Sequence, residues 1–275
     1  MKRLLVLVFV AAALPGASLR KNIVFAEAGG VSLQMDASIP EGKGPFPTVI
    51  LVHGGGWQQG DRWSTFKRIF DPLTNAGFAW FTVDYRLAPR FHYPAAIDDV
   101  VLAIEYIEAH AGEYKVDPKR IAISGESAGG HIVAYIGGRY ASELHIRAVV
   151  PFYPATDFLA MAEGPDKNDR AFRGVMNFVG FPEVDDAARK VLRDASPVAH
   201  VHKGMPPFLI VHGTKDELVN PHQTKEFAQL MQAAGNSCEI YWVEGAPHWV
   251  EHWEGHPEWL GYKQKVPEWL KQTMP

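Results

Sequence analysis

Short runs rich in β-branched and aromatic residues recur along this chain: Thr48 to Val52, Phe78 to Asp84, Ile121 to Ser124, Ala148 to Phe152, Phe208 to His212 and Glu239 to Val243. Runs this brief and this uniformly apolar read as strands buried on both faces. The stretches between them have a different period. Ile97, Val100, Val101, Ile104 and Ile107 share one helical face, as do Phe227, Leu230, Met231 and Ala234 in a helix opened by Asn220-Pro221, where proline is preset for a first helical turn. Strands alternating with helices predict an α/β fold with a mainly parallel central sheet covered by helices on both faces. Ahead of it, Asn22 to Glu27 and Val31 to Ala37 flank Ala28-Gly29-Gly30 and predict a β-hairpin. The stretch from Phe152 to Phe208 is longer than one crossover helix needs, which predicts a small inserted cap around residues 156–205. Its Phe172, Val175, Met176, Phe178, Val179 and Phe181 form an apolar patch that either roofs a pocket or packs onto the main core.

With 275 residues, 47% apolar and 21% charged, the chain can bury a large core within a single domain. A formal net charge of -4 and no long Lys/Arg run leave no electrostatic footprint for nucleic acid or an anionic membrane, and point to small neutral substrates. The one cysteine, Cys238, excludes an internal disulfide and reads as a buried structural thiol in a strand. Met1-Lys2-Arg3, the apolar run from Leu4 to Leu14 and the small residues Pro15-Gly16-Ala17-Ser18 read as a secretory signal over residues 1–18. That run is shorter than the roughly 20 residues a membrane span needs. The expectation is a secreted or periplasmic protein with no stable membrane span and one domain over residues 19–275.

Gly125-Glu126-Ser127-Ala128-Gly129 follows one predicted strand and leads into an apolar helical stretch, the form of a tight turn that lifts a nucleophilic serine above a sheet. The glycines are expected where neighbouring chain passes close on both sides. Another strand runs into His53-Gly54-Gly55-Gly56-Trp57, a turn whose backbone N–H groups are unshielded by side chains. The N–H groups of Gly55, Gly56 and Ala128 are therefore candidates for an oxyanion hole, where each donor is typically worth about 2.7 to 4 kcal/mol in an acyl-transfer transition state. A phosphate loop would want Lys-Ser or Lys-Thr entering a helix, and none follows.

Asp216, in the loop after a later strand, can orient a histidine; Glu217 and Asp157, each also just past a strand, are alternatives. His248 follows the last predicted strand and supplies a general base. His53 and His212 abut glycines at strand ends and read as loop-shaping groups, while His131 lies in the helix after Ser127 and cannot easily reach its hydroxyl. The order serine, acid, histidine is that of the α/β-hydrolase fold.

The segments His53-Gly54-Gly55-Gly56-Trp57, Asp84-Tyr85-Arg86-Leu87-Ala88-Pro89 and Gly125-Glu126-Ser127-Ala128-Gly129 resemble those of α/β-hydrolase esterases, in the hormone-sensitive-lipase-like and feruloyl-esterase-like (BD-FAE-type) branch. The resemblance implies Ser127 as nucleophile, Asp216 as acid, His248 as base and Gly55, Gly56 and Ala128 as oxyanion hole, with no metal or cofactor. It implies a serine carboxylic-ester hydrolase acting on short-chain or aromatic acyl esters, such as acetyl or feruloyl esters of plant polysaccharide. The first strand follows the leader too closely to leave room for the N-terminal helical cap of hormone-sensitive-lipase-like enzymes, which favours a more open cleft. Trp57, Tyr153, Trp249 and Trp253 lie beside the motif loops and are candidate aromatic walls for substrate, with core packing as the competing reading. Tyr85-Arg86 and Asp98 with Arg120 read as structural ion-pairing groups.

Three other functions compete. An amide hydrolase of the arylformamidase type also uses a His-Gly-Gly-x-Trp loop. His248-Trp249-Val250-Glu251-His252 matches the zinc motif H-x-x-E-H, but Pro247 precedes it and the serine turn would be left unexplained. A non-catalytic binding module is disfavoured because nucleophile, acid and base are all in place.

Overall fold

A computed structural model describes residues 16–164 and 170–275. Eight strands form one sheet: β1 (Ala17–Ala28), β2 (Val31–Pro40), β3 (Phe46–Val52), β4 (Ala79–Val83), β5 (Val116–Glu126), β6 (Ile146–Phe152), β7 (Phe208–Gly213) and β8 (Cys238–Val243), in the spatial order β1-β2-β4-β3-β5-β6-β7-β8. The helices are α1 (Phe70–Asn75), α2 (Ala95–Ala109), α3 (Ala111–Tyr114), α4 (Ala128–Arg139), α5 (Phe158–Glu163), α6 (Arg170–Val179), α7 (Asp186–Asp194), α8 (Pro221–Ala233) and α9 (Tyr262–Thr273). From β4 to β8 every pairing is parallel, and β1 and β2 add antiparallel strands at one edge. The hairpin turns at Gly29 and Gly30, whose φ values of 57° and 73° suit residues without a Cβ.

The predicted strands are all present, with shifted ends. β1 starts at Ala17, and Ala17 and Ser18 pair with Pro40 and Ile39, so part of the segment read as a leader belongs to the sheet; residues 1–15 of that reading lie outside the described residues. β5 begins at Val116, which pairs with Phe46 ahead of a register shift, and the charged Lys119 and Arg120 hid this start in the sequence. No helix among the described residues is long and apolar enough to cross a membrane.

Alternation along β3 builds the two faces: Val49 and Leu51 join α1 and α9 in one cluster, while Ile50 and Val52 join α2, α4 and α8 in the other. Phe227 and Met231 of α8 are buried, whereas Leu230, expected on the same face, is exposed on its rim. Arg86 pairs with Asp99 at 2.7 Å and Arg120 with Asp117 at 2.7 Å, so Asp98 is not the ion-pair partner of Arg120. Cys238 is buried, which pushes its thiol up to about 12. Between β6 and β7 lie α5 to α7, and Val175, Met176, Phe178 and Val179 are buried against the main core.

Candidate active site

Ser127 stands between the end of β5 and the start of α4 with φ 52°, a left-handed conformation unusual for a residue with a side chain. Its N–H donates to Phe152 O at 2.9 Å, which helps hold a strained turn that costs on the order of 1–3 kcal/mol. The flanking glycines are sterically required. A Cβ on Gly125 would lie 2.5 Å from Gly129 O and 2.9 Å from Val52 O, and one on Gly129 would overlap the carbonyl oxygens of Val52 and His53. Ala128 opens α4, so its N–H has no acceptor within the helix and lies at the positive end of the helix dipole.

The loop after β3 is held from below. Gly55 and Gly56 take φ values of 108° and 61°, and Gln58 and Gln59 both donate their N–H to Gly55 O at 3.2 Å. His53 Nδ1–H donates to Gly54 O at 2.7 Å, its ring stacks on Tyr85 at 4.2 Å, and the Tyr85 hydroxyl donates to His53 O at 3.1 Å. Tyr85 thus braces the glycine loop, a role its place in the sequence did not reveal. Trp57 Nε1–H donates to His131 Nδ1 at 3.2 Å, so His131 must carry its proton on Nε2, which donates to Ala195 O at 2.8 Å. Burial favours that neutral ring and pushes its pKa down to about 3. Trp57 also stacks on Phe178 at 4.9 Å and meets Phe158 edge-on at 5.2 Å, which joins the glycine loop to the insertion.

Across the sheet, His248 Nε2 lies 2.9 Å from Ser127 Oγ, and His248 Nδ1 lies 2.6 Å from Asp216 Oδ2. Asp216 Oδ1 accepts the N–H groups of Leu218 at 2.9 Å and Val219 at 2.8 Å. Burial alone would raise the Asp216 carboxyl, but hydrogen bonds from His212 and His248 outweigh it and hold the group well below the usual carboxylate range. Of the alternatives, Glu217 is exposed, and Asp157 caps α5 by accepting Ala160 N–H at 2.9 Å; neither bonds to His248.

A cavity of about 380 Å³ opens above Ser127, floored by Gly55, Gly56 and Ala128 and walled by Trp57, Trp249, Leu218 and Val219, with Met161, Ala171 and Gly174 contributed by the insertion. Two of the four expected aromatic walls are elsewhere. Tyr153 and Trp253 are fully buried: the Tyr153 ring lies 4.5 Å from that of His248 and its hydroxyl donates to Glu126 at 2.7 Å, while Trp253 packs on Tyr153 and Tyr262 and donates to Pro247 O. Both support the histidine loop from beneath. The H-x-x-E-H match forms no long helix, since residues Val250–Trp253 make a single 3-10 turn and both His248 nitrogens are engaged by Ser127 and Asp216.

The BD-FAE family model matches residues 35–231. The esterase LipC of Mycobacterium tuberculosis is 32% identical over 223 residues, covering 74% of this chain and 53% of the relative. The chain spans about half the length of the curated relatives LipC, LipM and LipQ (53%, 48% and 48%). Among solved structures, a truncated carbohydrate esterase from gut microbiota superposes with a TM-score of 0.80 at 24% identity, covering 96% of this chain and 98% of that one. Esterase 2 of Thermogutta terrifontis with bound propionate gives a TM-score of 0.71 at 28% identity, covering 95% of this chain and 94% of that one.

Proposed function

The chain belongs to the BD-FAE family and has the α/β-hydrolase fold, and on that premise we propose that it is a carboxylic-ester hydrolase working through an acyl-enzyme on Ser127. The observation that carries this reading is the continuous relay from Ser127 Oγ through His248 to Asp216, at 2.9 and 2.6 Å, at the base of a cavity lined by the Gly55-Gly56 loop.

In this reading Ser127 Oγ attacks the ester carbonyl carbon while His248 Nε2 takes the hydroxyl proton, and Asp216 stabilises the imidazolium. The carbonyl oxygen becomes an oxyanion and accepts N–H groups of Gly55, Gly56 and Ala128. Collapse breaks the bond to the alcohol, which leaves with the proton from His248. Water then repeats the sequence on the acyl-enzyme, giving a carboxylic acid and restoring Ser127. His248 carries every proton, so this cycle calls for no metal or cofactor.

A cavity of about 380 Å³ is near the small end of ligand pockets, which run from roughly 300 to 1,000 Å³. It suits a short or aromatic acyl group, with Trp57 and Trp249 as apolar walls. The named likenesses to a carbohydrate esterase and to a propionate-bound esterase support the same range. We therefore place acetyl or feruloyl esters of polysaccharide first among substrates, met outside the cytoplasm as the leader-like Met1-Lys2-Arg3 and the apolar run from Leu4 to Leu14 suggest. The relatives carry esterase names, and nothing in the site favours amides.

Ser127→Ala is expected to lower turnover of p-nitrophenyl acetate by several orders of magnitude with the fold retained, and a fluorophosphonate should label only the peptide containing Ser127. Near-normal activity in that variant overturns the assignment. For substrate class, a p-nitrophenyl ester series run beside methyl ferulate and acetylated xylan decides. Preference for lauroyl and longer chains, with the polysaccharide esters untouched, overturns the small-acyl reading.

A further inference from the structure

Asp216 is held by a second histidine, on the side away from the cavity. His212, near the end of β7, places Nε2 3.0 Å from Asp216 Oδ2 and 3.1 Å from Val219 O, and Nδ1 2.7 Å from Thr224 Oγ1 on α8. A carboxylate and a carbonyl can only accept, so Nε2 carries the hydrogen, and the Thr224 hydroxyl donates to Nδ1 in the neutral ring. The side chains of His212 and Asp216 are fully buried, so no solvent can substitute for either partner.

We propose that His212 is a positioning residue of the triad, whose Nε2–H fixes Asp216 Oδ2 against His248 and takes up part of that oxygen's negative charge. The inference rests on the reading of Asp216 and His248 as acid and base. Its geometric basis is that one oxygen, Oδ2, receives both imidazoles, at 2.6 Å from His248 and 3.0 Å from His212, while Oδ1 is filled by two backbone N–H groups. Without His212, Oδ2 would be held only by the residue it has to orient. Charge sharing works in the same place: a donor on a carboxylate weakens that carboxylate's attraction for a neighbouring imidazolium. Loss of the donor should therefore make His248 more basic and move the acidic limb of kcat/KM to higher pH.

Tyr153, at the end of β6, lies 6.4 Å from the His212 ring and stays neutral because burial pushes its phenol well above its ordinary range. Trp242 of β8, at 6.0 Å, does not titrate, and the carboxyl groups of Glu126 and Glu251 act on the Tyr153 phenol. None of these is altered by a substitution at residue 212. The helix that supplies Thr224 also holds the root of the insertion, since Gln223 Oε1 accepts the N–H groups of Thr156 at 2.8 Å and Asp157 at 3.1 Å. The acid is thereby tied to the same turn of α8 as the cap.

Three variants test the proposal against wild type by pH profiles of kcat/KM for p-nitrophenyl acetate, with active sites counted by fluorophosphonate. His212→Phe removes the donor and keeps a ring; a loss of about 10- to 100-fold is expected, by analogy with the outer-shell partners of metal-ligating histidines, with the acidic limb displaced upward. His212→Gln places an amide N–H near the Nε2 position and should restore most activity and the wild-type limb. Thr224→Val leaves the imidazole but removes the hydroxyl that anchors its Nδ1 and so the direction of its Nε2–H, and should show a smaller loss in the same direction. Equal losses in the Phe and Gln variants with an unmoved limb overturn the proposal, as does an unchanged profile in Thr224→Val, which also decides the matter if His212→Phe fails to fold. A wild-type profile with no acidic limb would instead refute His248 as base, so the two failures are distinguishable.

Discussion

Glu126, between Gly125 and the serine, is completely buried beneath the glycine loop. Its Oε2 accepts the Tyr153 hydroxyl at 2.7 Å, and its Oε1 has no hydrogen-bond partner. Burial pushes this carboxyl from an ordinary 4.5 up to about 8, the charge of Glu251 adds to the rise, and the hydrogen bonds from Tyr153 and Gly54 with the charge of Arg68 oppose it. The folded state therefore binds this proton more tightly than the unfolded chain does. The contribution to stability is complete below pH 4.5 and declines as pH rises to about 8. At roughly 1.4 kcal/mol per pH unit, the loss is about 3 kcal/mol at neutral pH and approaches about 5 kcal/mol above pH 8. Glu126→Gln keeps the acceptor for Tyr153 and has no ionisation to suppress. Urea unfolding of both proteins across this range should give similar stabilities at the acid end and a Gln variant that is more stable at neutral pH. The gap should widen to its full value near pH 8 and then stay constant. A difference independent of pH, or a Gln variant less stable at pH 8, would refute the argument that a neutral carboxyl is enforced here.

Asp216→Asn should leave the fold intact and lower kcat by about 10⁴-fold, because an amide selects the wrong imidazole tautomer; a loss below tenfold in steady-state assays would contradict its role. Gly129→Ala would set a Cβ against the backbone oxygens of Val52 and His53, so a clear drop in Tm and loss of fluorophosphonate labelling are expected, and an unchanged Tm argues against the crowding. At Gly174 a Cβ would meet Trp57 and Gln58 at an ordinary 3.8 Å, so Gly174→Leu should be tolerated while filling the cavity. The acetyl-to-butyryl ratio of kcat/KM should rise about tenfold or more, given roughly 1–3 kcal/mol per methylene in an apolar pocket; an unchanged ratio would move the acyl subsite elsewhere.

The groups proposed to carry the chemistry were legible because each sits where a parallel sheet exposes its strand ends. Ser127, Asp216 and His248 follow β5, β7 and β8, and the glycine loop follows β3. Buried strands without polar alternation were just as visible, except at β5, where charged residues interrupt the first half. Their supports were not, because each depends on a partner far along the chain. His131, which cannot easily reach the Ser127 hydroxyl, fixes Trp57, 74 residues away, and bonds to Ala195, 64 residues away. Nor does proximity to a motif reveal the direction of a side chain. Tyr153 follows β6 at φ 36° and points beneath His248, whereas Trp249, beside that histidine, faces the cavity. The insertion illustrates the same point in packing terms. Its apolar patch invited two readings, and the structure joins them through Trp57: Phe178 stacks on the indole from the core side, while Gly174, one helical turn earlier, leaves space above Ser127. A helix that had to choose between filling the core and shaping the pocket does both, because residues four apart share a face and only the larger one reaches the core.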